Sequence, residues 1–135
     1  MTVFVDTSAF VAILDRDEPR RRTALDELAG LRASATSLLT HEYVIVEATA
    51  LVQRRLGMAA LGVLVEELLP LCEVAWVDPE LHLAARQALL AARRRGVSLA
   101  DWVSFLVMRR RGIRTAFAFD ADFATEGFEL LPTPP

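Results

Sequence analysis

The sequence predicts an α/β fold in a single domain, residues 1–135, with a mostly parallel central sheet flanked by helices on both faces. Short apolar runs that suit strands alternate with longer stretches bounded by helix-starting and helix-stopping residues, the pattern of βαβ units. The opening run Val3-Phe4-Val5 breaks off at Asp6 and passes through Thr7 and Ser8 directly into a helical stretch. At 135 residues the chain is long enough for one core and too short for two ordinary domains.

Val3–Val5 is a strand rich in residues suited to burial, and Ala9–Leu14 starts a helix. Asp15-Arg-Asp-Glu-Pro19 is a polar break, and Pro19 suits the first turn of a second helix with Leu25, Leu28 and Leu31 on its apolar side. Gly30–Ser34 closes it, and Ala33–Thr36 is expected as a short strand. Thr36-Ser37 is then expected to open a long helix through about Leu56, ended by Gly57. Another helix runs from about Ala59 to Leu69 and stops at Pro70. Glu73–Val77 is a strand, and Asp78-Pro79 starts a helix that reaches Arg95 and stops at Gly96. Ser98 starts the next, which Gly112 ends. Thr115–Phe119 is a strand, Asp120–Thr125 a turn or short helix, and Phe128–Leu131 a last short strand before the Pro-rich tail. No repeat, linker or low-complexity tract interrupts this order.

Composition narrows the function classes. Apolar residues make up 53% and no run approaches the ~18 uncharged apolar residues of a membrane span. Nothing basic precedes the opening apolar run, which argues against a signal peptide, and the lone Cys72, with no disulfide to form, favours the cytoplasm. The apolar excess points to an interface. The helices around Arg21–Leu31 and Ala59–Leu69 are the expected surfaces, for a homodimer and for a partner segment lying as an amphipathic helix in a groove. Net charge is −3 and every basic residue is Arg, whose fork suits phosphate. Cys72 is alone, which excludes an intramolecular disulfide and a Cys-based zinc site. His41 and His82 follow no metal-ligand spacing and read as ordinary surface or core residues. None of the six glycines forms a phosphate loop.

The acids carry the chemistry. Asp6 follows a strand directly, where a parallel sheet points side chains into a ligand crevice; capping the next helix is the plain alternative. Glu47 sits in mid-helix among Tyr43, Val44, Ala50 and Leu51, a costly place for an unpaired carboxylate, and reads as core-facing. Glu42 has equally apolar neighbours but lies near the helix start, where negative charge is favoured. Asp101 in Ser98-Leu-Ala-Asp101 is close to a capping box. Asp120 ends an apolar run as Asp6 does, with Asp122 two residues on, and a turn is its alternative role. Singly each acid has a local explanation. Together, two strand-terminal Asp, one helical Glu and one helix-start Asp suit a hard cation, Mg²⁺ or Mn²⁺.

In these residues the chain resembles the PIN-domain family, and within it the small ribonuclease toxins of the VapC type. The resemblance runs end to end through Val-Phe-Val-Asp6-Thr-Ser-Ala, Glu47 in Tyr-Val-Ile-Val-Glu-Ala, Ser-Leu-Ala-Asp101 and Phe-Asp120-Ala-Asp122-Phe, then Gly127 and Leu-Leu-Pro132. It implies an α/β fold, metal-dependent RNA endonuclease activity, dimers and inhibition by a cognate antitoxin. One departure is Ala118, where many relatives carry Thr, Ser or Asn.

Phosphodiester hydrolysis needs an activated water and neutralisation of charge growing on phosphoryl oxygens, both of which a divalent cation supplies. Asp6 and Asp101 are assigned as the main metal pair, Asp120 as a further ligand, and Glu47 as a ligand or the base orienting the water. Thr7 and Ser8 hold Asp6, touch a phosphate or cap the helix; Asp122 is the lesser candidate. Carboxylates so crowded should include at least one that titrates above its ordinary range. Arg20–Arg22, Arg93–Arg95, Arg109–Arg111 and Arg114 could hold an RNA backbone, against a plain reading as solvated faces and helix ends. A haloacid-dehalogenase-type phosphatase would need a second Asp where Ser8 stands, and a Lys that the chain lacks. A non-catalytic PIN-fold module binding RNA or protein would be expected with degraded acids, and here they are intact.

Overall fold

The computed structural model describes all 135 residues, Met1–Pro135. Strand β1 (Thr2–Val5) lies at the centre of the sheet, and its consecutive residues Val3, Phe4 and Val5 are all buried. Successive burial along a strand means cover on both faces, as a parallel sheet requires. Helix α1 (Thr7–Leu14) begins immediately, because the Asp6 carboxylate accepts the Ser8 N–H and caps it. Helix α2 (Arg21–Ala33) follows the polar break.

The next segment departs from expectation. Ser37–His41 is strand β2, not the start of a helix, and helix α3 covers only Glu42–Leu56. The run Leu38-Leu39-Thr40-His41 is buried throughout, because the interior strand β2 is covered on both faces of the sheet. It therefore shows no alternation to distinguish it from a buried helix. Thr40 Oγ1 donates to Val5 O at 3.0 Å, and the His41 ring accepts the Val44 N–H, capping α3 from the strand end. Gly57, at φ +91°, ends α3 where a side chain would be strained.

Helix α4 (Met58–Val63) runs on through a π turn, Leu64–Leu68, and a 3₁₀ turn, Leu69–Leu71, that absorbs Pro70. Strand β3 is Cys72–Ala75. Helix α5 (Pro79–Ala92) is capped by Asp78 and stops at Arg93 in the left-handed region, earlier than Gly96 suggested. Helix α6 (Leu99–Arg111) starts with the Ser98–Asp101 capping box and ends at Gly112. Strand β4 (Thr115–Phe117), the one-turn helix α7 (Asp122–Thr125) and strand β5 (Glu129–Leu131) complete the chain.

All pairings are parallel, in the order β3-β2-β1-β4-β5. The chain adds β2 and β3 on one side of β1, then returns to add β4 and β5 on the other. The order reverses between β1 and β4, the kind of switch point where open α/β sheets bind ligands beyond their strand ends. Asp6 follows β1 and continues the pairing through its N–H to Phe117 O at 3.1 Å. Phe123 of α7 is fully buried against Phe105 and Phe4, which pins the Asp120–Asp122 turn to the core. No helix is long and apolar enough to cross a membrane.

Candidate active site

Beyond the switch point lies an open crevice of about 460 Å³, and Asp6, Thr7, Ser8, Glu47, Asp101 and Asp120 all line it. Five elements deliver them: the end of β1, the first turn of α1, the middle of α3, the first turn of α6 and the loop after β4. Asp122 stands behind this wall. One carboxylate oxygen each from Asp101, Asp120 and Asp122 falls within 4.8 Å of the others. The tightest acid group is thus built on the loop after β4 and α6, with Asp6 and Glu47 alongside.

Capping and crowding turn out to be compatible, because each Asp uses one oxygen locally and has no protein donor on the other. Asp6 Oδ2 accepts the Ser8 N–H at 3.1 Å and the Ser8 hydroxyl at 2.6 Å. Asp101 Oδ2 accepts the Ser98 N–H at 2.8 Å, and Asp120 Oδ1 accepts the Asp122 N–H at 2.9 Å. Asp122 Oδ1 takes a terminal nitrogen of Arg94 at 2.7 Å. Ser8 does more than cap: its Oγ also accepts the Phe119 N–H at 2.9 Å, tying Asp6 to the residue before Asp120. The Phe119 N–H is thereby spent on Ser8 and not on a strand neighbour, and β4 ends at Phe117, shorter than expected. Thr7 Oγ1 is buried without a partner.

Glu47 corrects one sequence expectation. It is exposed, and the core face of α3 is Val44, Ala48 and Val52. Its apolar neighbours belong partly to the crevice wall, where Leu51 and Val11 also lie. The more buried glutamate is Glu42, which accepts the Val77 N–H and anchors the end of β3 to α3.

Three of the acids resist ionisation. Burial pushes Asp6 up to about 7, against the two Ser8 bonds, and the charges of Asp101 and Asp120 add to it. Asp101 is raised by burial first, then by Glu47 and Asp122, while Ser98 opposes. Asp120 is raised by burial, then by Asp122 and Asp101, with the Asp122 N–H opposing. Burial outweighs repulsion at all three. An oxygen-only donor set, crowded and partly desolvated with free oxygens remaining, fits a hard divalent cation.

Several contributors were not visible in the sequence. Arg94 pairs with both Asp122 and Glu126, and Arg109 with Glu126, so one arginine from each of two Arg clusters is held in a structural ion pair. His41 Nε2 meets Ser104 Oγ at 2.8 Å across 63 residues of chain and ties the end of β2 to α6. Ser104 donates to Ala100 O and His41 Nδ1 accepts from Val44, so the ring carries its proton on Nε2. Burial lowers this His to about 4, leaving it neutral. Cys72, pushed up to about 12 by burial, is no nucleophile.

Residues 3–128 match the PIN domain. The chain belongs to the PIN-domain family. The 23S rRNA-specific endonuclease VapC20, from two strains of Mycobacterium tuberculosis, is 34% identical over 132 residues, covering 96% of this chain and 98% of the relative. The crystal structure of Mycobacterium tuberculosis VapC20, a sarcin–ricin loop cleaving toxin, superposes with a TM-score of 0.81 at 34% identity, covering 93% of this chain and 95% of that one. PAE2754 from Pyrobaculum aerophilum has a TM-score of 0.64 at 21% identity, covering 98% of this chain and 93% of that one. FitAcB from Neisseria gonorrhoeae has a TM-score of 0.68 at 14%, covering 96% of each chain. These last two share the fold. In this PIN domain the acid crevice lies at the sheet's switch point.

Proposed function

We propose that this chain, as one PIN-like domain spanning 1–135, is a divalent-metal-dependent endoribonuclease and the toxin of a cytoplasmic toxin–antitoxin pair. The convergence of Asp6, Glu47, Asp101 and Asp120 on one crevice carries this reading. Mg²⁺ or Mn²⁺, when bound, neutralises charge on the phosphoryl oxygens and lowers the pKa of an attacking water. Asp101, Asp120 and Asp6 would hold the ion. Glu47, exposed and without a hydrogen-bond partner, would orient the attacking water and accept its proton. Ser8 fixes Asp6 relative to Asp120. Arg94 neutralises Asp122 and keeps the charge behind Asp120 in check.

VapC20 is named for cleavage of 23S rRNA, and its likeness extends over nearly the whole chain, so 23S rRNA is the substrate we assign. The antitoxin contact is a groove of about 760 Å³ between α2 and α4, lined by Leu25, Leu28, Ala60 and Val63 with Arg21 and Arg32 among them. It suits an amphipathic segment with acidic flanks. A second copy is assigned to another face. Val46 and Trp76, 65% and 72% exposed, and Leu83 project from three segments tied together by the Glu42–Val77 and Tyr43–His82 contacts.

Purified protein with 23S rRNA or a sarcin–ricin oligonucleotide should cleave in Mg²⁺ or Mn²⁺ and stop in chelator. Asp6→Asn and Asp101→Asn should each lose about 100-fold or more, the scale of removing one stabilising group from a reacting centre. Cleavage that persists in chelator or in both variants contradicts the assignment. RNA binding without cleavage would return the chain to a non-catalytic module.

A further inference from the structure

Of the arginines, Arg94 pairs with Asp122 and Glu126 behind the site, Arg109 pairs with Glu126, and Arg20 pairs with Glu18 through its Nε alone. The two that line the acid crevice, Arg20 and Arg55, keep their terminal nitrogens free. We infer that Arg20 and Arg55 form a two-sided clamp for the RNA phosphates flanking the one being cleaved, an inference that depends on the endoribonuclease reading above.

Arg20 is held in place for such a contact. Its guanidinium carbon lies 4.6 Å from the centre of the Phe119 ring, and its Nε donates to Glu18 at 2.7 Å. Stacking and one hydrogen bond fix the plane of the fork while both terminal nitrogens remain available, the arrangement in which Arg binds a phosphate at small entropic cost. Phe119 immediately precedes Asp120, so this fork stands at the β4 side of the crevice. Arg55 comes from the opposite side, on α3, which follows β2. It lies eight residues beyond Glu47 with Leu51 between them, about 12 Å along the helix axis. That separation carries it past the scissile phosphate toward a neighbouring one. Arg55 has no carboxylate within salt-bridge reach, and it also lines the apolar groove where that groove meets the crevice. A crevice lined by six carboxylates, Asp15 and Glu18 among them, repels a polyanion at every phosphate that no cation neutralises. The flanking phosphates therefore need cations of their own, and these two are the arginines at hand.

The test is steady-state cleavage of an RNA that the wild type cleaves, at several salt concentrations, for wild type, Arg20→Ala, Arg20→Lys, Arg55→Ala and Arg86→Ala. Arg86 is an exposed α5 residue outside the crevice and serves as control. Arg20→Ala and Arg55→Ala should raise KM about five- to tenfold with kcat within about twofold. Each should also flatten the dependence of log(kcat/KM) on log salt by about 0.7, one lost contact to a single strand. Arg20→Lys should recover only part of the KM, because it keeps the charge and loses the fork. Thermal midpoints measured alongside separate a folding defect from a binding one. KM and salt slope equal to those of Arg86→Ala would overturn the clamp while leaving the nuclease intact. A wild type that cleaves no RNA with metal would fail the endoribonuclease reading and take the clamp with it.

Discussion

At Asp6, burial raises the carboxyl to about 7 in the metal-free protein, against 3.8 for the ordinary group. The folded state then holds a proton that the unfolded state has released over the interval between those values. Stability falls with rising pH wherever the folded state binds more protons. This contribution is therefore fully present below about pH 4 and is lost as the pH rises through about 7, the reverse of a salt-bridged aspartate. In chelator, the thermal midpoint should drop between pH 5 and pH 8, and Asp6→Asn should flatten much of that slope. Excess Mn²⁺ should restore the midpoint most at pH 8, where the carboxylates are charged. A wild-type midpoint that stays level or rises with pH in chelator would show that Asp6 ionises normally.

The elements separate capping from chemistry at α6. Ser98 Oγ accepts the Asp101 N–H at 3.2 Å, while the Asp101 carboxylate accepts the Ser98 N–H. Ser98→Ala deletes the first bond only and should cost about 1 kcal/mol of stability while cleavage stays within a few-fold. Asp101→Asn keeps a side chain that can accept the Ser98 N–H and should abolish cleavage with little loss of stability. Denaturant unfolding beside a cleavage assay checks both; equal activity losses would mean that the helix start, not the carboxylate, is what matters. The same elements show what the sequence made legible. Asp6, Asp101 and Asp120 were readable because each sits where local chemistry marks a strand or helix end. The boundary between β2 and α3 was not, since a strand buried on both faces carries no period. Nor was the orientation of Glu47, because an apolar stripe looks alike whether it meets the core or a crevice wall. His41–Ser104 and Arg94–Asp122 are contacts between distant parts of the chain, and no spacing encodes them.

For the whole molecule, exposed apolar side chains lie apart from the crevice, and Trp76 is the largest of them. The chain should sediment as a dimer at micromolar concentration, and Trp76→Ser should shift it to monomer without unfolding it. A wild-type monomer at that concentration would count against self-association, and an undisturbed dimer in the variant would move it to another face. The reversal of strand order at β1 gathers acids from four elements into one site. The most direct test of that site as a metal centre is paired thermal unfolding of wild type and Asp120→Asn at neutral pH, in chelator and then in excess Mn²⁺. Asn accepts the Asp122 N–H as Asp does. The metal-free variant should accordingly be unchanged or more stable by about 0.5–2 kcal/mol, while Mn²⁺ should raise the wild-type midpoint well above the variant's by linkage. Equal Mn²⁺ shifts in the two proteins, with cleavage intact in the variant, would contradict a metal centre at Asp120 and leave it an ordinary turn residue.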